Sequence, residues 1–293
     1  MRVFLLFPLA DDETGVAIKE AFENLKIECL AVDISRHEQA FEIMTANGQW
    51  DLLLCSRSME CYETVVKANK YTRTKTACWN VDTRVTVERW GELLLLFQEV
   101  DYLFDVSEGQ LEEWRKWNKK TFYLQQGLHD RKYYPVLPTY AEMEHYSCQV
   151  GFMGNLHPEI HSDRQRLLDL VGAEHSLKKF SGVFGHQHNV AAGTCLINLC
   201  HSVYPEVKNS YSVRNWKILG AGGVGVDLYH EGIEKTFHKG IEHYKTIEEA
   251  PEVIKYMLKH YDRYRERAQR AHKWVLANAT YTKRIAEMMR IIG

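Results

Sequence analysis

Arg214 and Lys217 stand one helical turn apart in the run Ser212-Val213-Arg214-Asn215-Trp216-Lys217-Ile218-Leu219-Gly220-Ala221-Gly222-Gly223. The run reads as a polar loop, a helix opening on two cations, a Gly-Gly break and an apolar strand over Val224–Val226. Unpaired backbone N–H groups at a helix start, with two cations beside them, suit a diphosphate. Gly222 and Gly223 let backbone approach such a ligand closely.

Other residues with chemical potential fall where strands end. Asp11 and Asp12 follow an apolar run at Val3–Phe7, and Asp82 and Arg84 follow another at Thr76–Asn80. Asp11, Asp12 and Glu13 also suit the first turn of a helix from Thr14, and Asp82 suits a helix cap. His186-Gln187-His188 has no Cys or acidic partner at zinc spacing and reads as a loop. No Asp-x-Asp pair suited to a metal–diphosphate complex occurs, so no metal is expected.

The elements that must position these residues follow from apolar patterning. Strands are expected at 3–7, 28–32, 51–55, 76–80, 102–106 and 121–124. Between them lie helical stretches at 14–24, 38–45, 60–69, 85–97 and 111–116. Strands apolar on both faces and alternating with helices imply a parallel sheet covered on both sides. Gly127–Tyr146 interrupts the rhythm with Pro135 and Pro138 and reads as a linker. The alternation restarts with strands at 148–153, 177–180 and 194–199 and a helix at 163–171. Helices over 246–260 and 262–292 complete the chain, the second with an expected break near Ala277–Thr280. An α/β protein of two Rossmann-like, doubly wound domains facing a central cleft is expected. Residues 1–140 form the first domain and 146–264 the second. Residues 265–293 are a helical segment packing across the domains, with the C-terminal helix returning to the first. Ligands of such sheets sit beyond the carboxyl ends of the strands. This brings forward the loops at 8–15, 56–60, 80–84, 154–161, 182–193 and 200–214.

Composition narrows the partners. The 293 residues carry a net charge of −2, which gives no global field for nucleic acid. Residues 1–145 hold 17 Lys+Arg against 24 Asp+Glu, and residues 146–293 hold 20 against 15. An anionic ligand is therefore expected on the second half. Seven cysteines without a CxxC motif read as reduced thiols of a cytoplasmic protein. No apolar run is long enough to span a membrane.

Landmarks along the chain resemble the CgeB-like (spore-maturation type) glycosyltransferases, within the retaining GT-B group. They are Ala77-Cys78-Trp79-Asn80-Val81-Asp82, then Asp101–Asp105 with Gln125-Gln126-Gly127 and Tyr134-Pro135, then Val150–Asn155 with Arg164 and Leu167-Leu168. The strongest block is Ser212-x-Arg214 with Gly222-Gly223, followed by Phe237-x-x-Gly240-x-Glu242-His243-Tyr244. Ile254–His260, Arg265–Ala271 and Thr280-Tyr281-x-x-Arg284 complete the series. The resemblance implies a metal-independent glycosyltransferase using a nucleotide sugar, with no other cofactor. It implies donor contacts from Gly154, Asn155, Arg164, Ser212, Arg214, Lys217, Gly222, Gly223, His238 and Glu242. Asp12, Asp82 and Arg84 then fall on the acceptor side, and Arg214, Asp82 and Asp11 are the catalytic candidates. A retaining reaction needs no dedicated base; in an inverting one Asp11, Asp12 or Asp82 would deprotonate the acceptor. The acceptor stays open among a polysaccharide, a protein and a modified base in DNA, as in phage DNA glycosylation. One departure stands out. The family usually has Glu three residues after the Arg of the strongest block, at the donor ribose, and Lys217 cannot accept those hydrogen bonds. A catalytically weak nucleotide-sugar-binding or regulatory protein on the same fold is therefore the second expectation. An epimerase of similar form is a third.

Overall fold

A computed structural model describes residues 1–83, 91–156 and 162–293. The chain forms two compact units. One comprises Met1–Gln126 with Tyr281–Gly293, the other Gly127–Thr280.

The first unit holds β1 (Arg2–Phe7), α1 (Thr14–Asn24), β2 (Glu28–Asp33), α2 (His37–Ala46), β3 (Leu52–Ser56), α3 (Tyr62–Tyr71) and β4 (Lys75–Asn80). It continues with α4 (Leu93–Glu99), β5 (Tyr102–Asp105), α5 (Leu111–Arg115) and β6 (Thr121–Tyr123). The strands form one sheet in the order β2-β1-β3-β4-β5-β6, with every pair parallel. Val3, Leu5 and Phe7 of β1 enter one core, and Phe4 and Leu6 enter the other. This two-sided burial is what a parallel sheet between helical layers requires. Of the helix expected over 85–97, the part at 85–90, like Arg84, lies outside the described residues.

The second unit contains α6 (Tyr140–Tyr146), β7 (Val150–Met153), α7 (Ser162–Glu174), β8 (Leu177–Phe180), α8 (Gly185–Thr194), β9 (Ile197–Leu199), α9 (Arg214–Gly220) and β10 (Gly225–Leu228). It ends with α10 (Ile233–Thr236), β11 (Ile241–Tyr244), α11 (Ala250–Lys259) and α12 (Tyr261–Asn278). Its parallel sheet runs β11-β10-β9-β7-β8. The last helix, α13 (Tyr281–Ile292), belongs to the first unit. There Tyr281, Ile285, Met288 and Ile292 join the core beneath α1, the isoleucines and the methionine each contributing about 1.5–3 kcal/mol by burial. Lys75 Nζ donates to the carbonyl of Ile292 at 2.9 Å, and Asn24 Nδ2 to Thr282 Oγ1 at 3.0 Å. The break expected near Ala277–Thr280 falls between α12 and α13.

Three local features differ from the sequence reading. The loop expected over 182–193 is largely α8, whose Val190, Ala191 and Ala192 are buried. Its polar His186-Gln187-His188 and flanking glycines give no apolar period to read. The stretch 127–146 contains α6, started by a capping box in which Thr139 Oγ1 accepts from the Glu142 N–H and Glu142 accepts from the Thr139 N–H. β11, a four-residue edge strand, is too short and too polar at Glu242 and His243 to stand out.

Candidate functional site

In the second unit the chain reverses strand order between β7 and β9, since β8 flanks β7 on the other side. Such a switch point opens a crevice at the carboxyl ends of the strands. A pocket of about 510 Å3 lies there. Gly154 and Asn155 enter it from the end of β7, Ser181–Phe184 from the end of β8, and Ser212–Arg214 from the loop after β9.

Arg214 is the first residue of α9, and the rest of the helix fixes its place. Trp216, Ile218 and Leu219 are fully buried, with Trp216 tilted against Phe237 at 4.4 Å between ring centroids. The loop before α9 is pinned by Asp227, a fully buried residue of β10. Its carboxylate accepts from the N–H of Ser202 at 2.7 Å, from the N–H of Leu228 at 2.8 Å, from Asn215 Nδ2 at 2.6 Å and from the Ser202 hydroxyl. Ser202 Oγ in turn accepts from the N–H of Ser212 at 3.0 Å, and Ser212 Oγ from the N–H of Arg214 at 3.3 Å. The relay runs from a buried acid in the sheet to the helix start that carries the cation. Nearby, burial holds the His230 and His201 imidazoles below the usual histidine range.

Two guanidiniums meet at this point. Arg214 lies over the Phe152 ring at 5.2 Å and Arg164 over the same ring at 5.5 Å. Arg164 Nη1 donates to the carbonyl of Asn155 at 2.7 Å. Arg214 Nη1 and Arg164 Nε are buried and have no hydrogen-bond partner among the described residues. Burial, and then the charge of Arg214, depress the Arg164 pKa to about 10. Two crowded cations with unmade hydrogen bonds are costly unless an anion joins them. Gly154 makes room for this: a Cβ there would lie 2.5 Å from Arg214 Nη2. Across the pocket, Lys217 Nζ lies 4.9 Å from the Tyr133 ring and 5.9 Å from the Phe184 ring. Tyr133 meets His188 of α8 edge-on at 5.1 Å.

The structure thus brings together Gly154, Asn155, Ser212, Arg214 and Lys217 as pocket lining, with Arg164 joined through Asn155. Gly222 and Gly223 lie at the far end of α9. Gly222, at φ +77°, donates to the Leu219 carbonyl, and Gly223 donates to that of Ile218. This is the Schellman pattern that closes a helix. His238 and Glu242 line a separate depression beside α12. In the first unit, Asp11 and Asp12 follow β1, with Asp11 Oδ1 accepting from the Asp12 N–H at 3.0 Å. The N-cap position of α1 is Glu13, whose side chain makes no capping hydrogen bond. Asp82 follows β4 and is ion-paired with Arg57 at 2.8 Å.

Sequence reading missed the support of this site: Asp227, Ser202, Asn215 and the rings of Phe152, Tyr133 and Phe184. Asp227 alone left a trace, as an acid inside the apolar strand Val224–Leu228.

Residues 156–290 match the model of the Glycosyl transferase-like family. No curated protein matches the chain. Among solved structures, HepE of Anabaena in complex with UDP and glucose superposes with a TM-score of 0.69 at 11% identity, over 99% of this chain and 100% of that one. A glycosyltransferase of Rickettsia africae gives a TM-score of 0.67 at 10% identity, over 99% and 97% of the two chains. BGT of T4 phage, in complex with its UDP-glucose substrate, gives 0.62 at 9% identity, over 100% and 99%. Identities this low speak for the fold. The chain has the GT-B fold of these glycosyltransferases along its whole length, and its second half matches the Glycosyl transferase-like family.

Proposed function

We propose that the protein is a glycosyltransferase that takes a nucleotide-activated sugar in the Arg214 pocket. The observation that carries this reading is the pair of guanidiniums over Phe152, each with a buried N–H left unpaired. The diphosphate of a nucleotide sugar supplies acceptors for both. Structures of similar fold hold UDP and UDP-glucose, which makes a uridine diphosphate sugar the first donor to try. As the glycosidic bond to the diphosphate breaks, negative charge grows on the departing phosphate. Arg214, Lys217 and Arg164 stabilise that charge, in place of a metal ion. The order of sequence landmarks favours the CgeB-like subtype and, with it, retention of configuration. Asp11, Asp12 and Asp82 then orient the acceptor rather than serve as its base. Cysteine usage fits a cytoplasmic enzyme.

Arg214→Ala tests the reading. Loss of a charged hydrogen-bond donor is expected to weaken UDP binding about tenfold or more, with the fold intact by circular dichroism. Unchanged UDP affinity in that variant removes Arg214 from the site. Lys217, standing where the family carries Glu, favours a second reading as a nucleotide-sugar-binding protein with little catalysis. A panel of nucleotide sugars separates the two: binding without hydrolysis or transfer of any donor favours the binding protein.

A further inference from the structure

The depression beside α12 shares no lining residue with the Arg214 pocket. Its volume is about 1060 Å3. One wall is the turn after β10 together with β11, and the other is the exposed face of α12. Five cations line it: Lys235, Lys239, Arg263, Arg267 and Arg270. The carboxylates in the lining are Glu234 and Glu242.

These charges do not neutralise one another. Arg267 is consumed in joining the walls. Its Nη1 donates to Glu242 Oε2 at 2.8 Å, while Nε and Nη2 donate to the carbonyl of Lys239 at 2.9 and 2.7 Å. Glu242 is therefore already engaged by Arg267. Among the described residues Arg270 pairs only with Glu266, at 3.9 Å. Lys235, Lys239 and Arg263 make no ion pair among the described residues. The backbone presenting them is unusual as well. His238 and Lys239 are consecutive non-glycine residues in the left-handed region, at φ +50° and +58°. Arg267 on the Lys239 carbonyl, and the His238 ring stacked on Trp274 at 5.6 Å, hold that turn in place. Strained backbone persists where its surroundings over-determine it, and such strain gathers at ligand sites.

We propose that this depression is a second binding site, for a ligand carrying two or more phosphate charges. Guanidinium groups pair with phosphate through two parallel hydrogen bonds, and the free lysines add point charges at the rim. The inference does not rest on the reading of the Arg214 pocket, because the two sites have no residue in common.

The probes are inorganic pyrophosphate and a short oligothymidylate, titrated calorimetrically into the intact protein. Three forms are compared: the wild type, Arg214→Ala, and a triple variant with Lys235→Ser, Arg263→Ser and Arg270→Ser. The three replaced side chains are exposed and Arg267 is left in place, so unchanged circular dichroism is expected. The Arg214→Ala protein is expected to keep one pyrophosphate-binding event that weakens as salt is added. The triple variant is expected to lose that event by about tenfold or more. A response to pyrophosphate alone assigns the site to a free phosphorylated molecule. A response to the oligonucleotide that the triple variant loses assigns it to a nucleic-acid backbone. Either supports the site. The proposal is overturned if Arg214→Ala abolishes all binding of both probes, or if the triple variant binds both as the wild type does.

Discussion

At the scale of single residues, Gly154 shows how little space the Arg214 guanidinium has. A methyl group there meets Nη2 at 2.5 Å and Cζ at 2.9 Å, so the arginine must swing away. Gly154→Ala is expected to weaken UDP binding several-fold by displacing Arg214, while thermal stability changes little; equal affinities would show that the arginine reaches the ligand from another rotamer. Asp105 bears on stability instead. It is fully buried at the end of β5, and burial pushes its pKa up to about 7 despite hydrogen bonds from the Ser107 N–H and Asn80 Nδ2. The folded state therefore holds a proton that the unfolded chain releases near pH 4. This favours the fold at low pH and is lost as pH rises through about 7, a change of about 4 kcal/mol. In urea unfolding between pH 4 and 8, Asp105→Asn is expected to flatten that decline relative to the wild type. Parallel profiles would rule out Asp105 as its source. Arg214 and Gly154 were legible in the sequence because a cation at a helix start and a glycine after a strand are local signals. Asp105 and Asp227 owe their character to burial by distant segments, which no local pattern records.

Elements explain why some of the donor residues named from sequence come together and others do not. Gly154 and Ser212 sit on the loops after β7 and β9, which are neighbours in the sheet, and Arg214 opens the helix that follows the second of these loops. His238 and Glu242 belong to the turn before β11 and to β11 itself, with β10 between them and β9. Linear order cannot reveal this, because strand order in a doubly wound sheet differs from chain order. The glycines after α9 are a related case. A Gly-Gly pair suits both close approach to a ligand and the end of a helix, and in the folded chain it ends the helix. Gly222→Ala places a side chain at φ +77° and is expected to cost about 1 kcal/mol in chemical denaturation, with UDP affinity unchanged. A loss of affinity at wild-type stability would instead place Gly222 at the ligand. α8 escaped the sequence reading because tertiary burial of Val190–Ala192, rather than an apolar period, holds it in a helix.

For the whole molecule, the two-unit α/β plan was legible because both sheets are built from short apolar strands separated by helices. The C-terminal helix is the feature that crosses the plan. Tyr281, Ile285, Met288 and Ile292 complete the core of the first unit, and Tyr281 meets Trp79 edge-on at 5.9 Å. Removing residues 281–293 is expected to cut hydrogen-exchange protection in β1 and β4 and to leave β7, β9 and β10 protected. Uniform loss across both sheets would mean that the units do not unfold separately. The same connection gives the chain an order of events on the ribosome. Residues 127–280 emerge as a finished unit, while the earlier-made sheet still lacks part of its cover. At about 5–20 residues per second, that apolar surface waits roughly 8–30 s for its last helix. The sheet made earlier therefore closes after the sheet made later, and its apolar face is the one open to wrong association for longer.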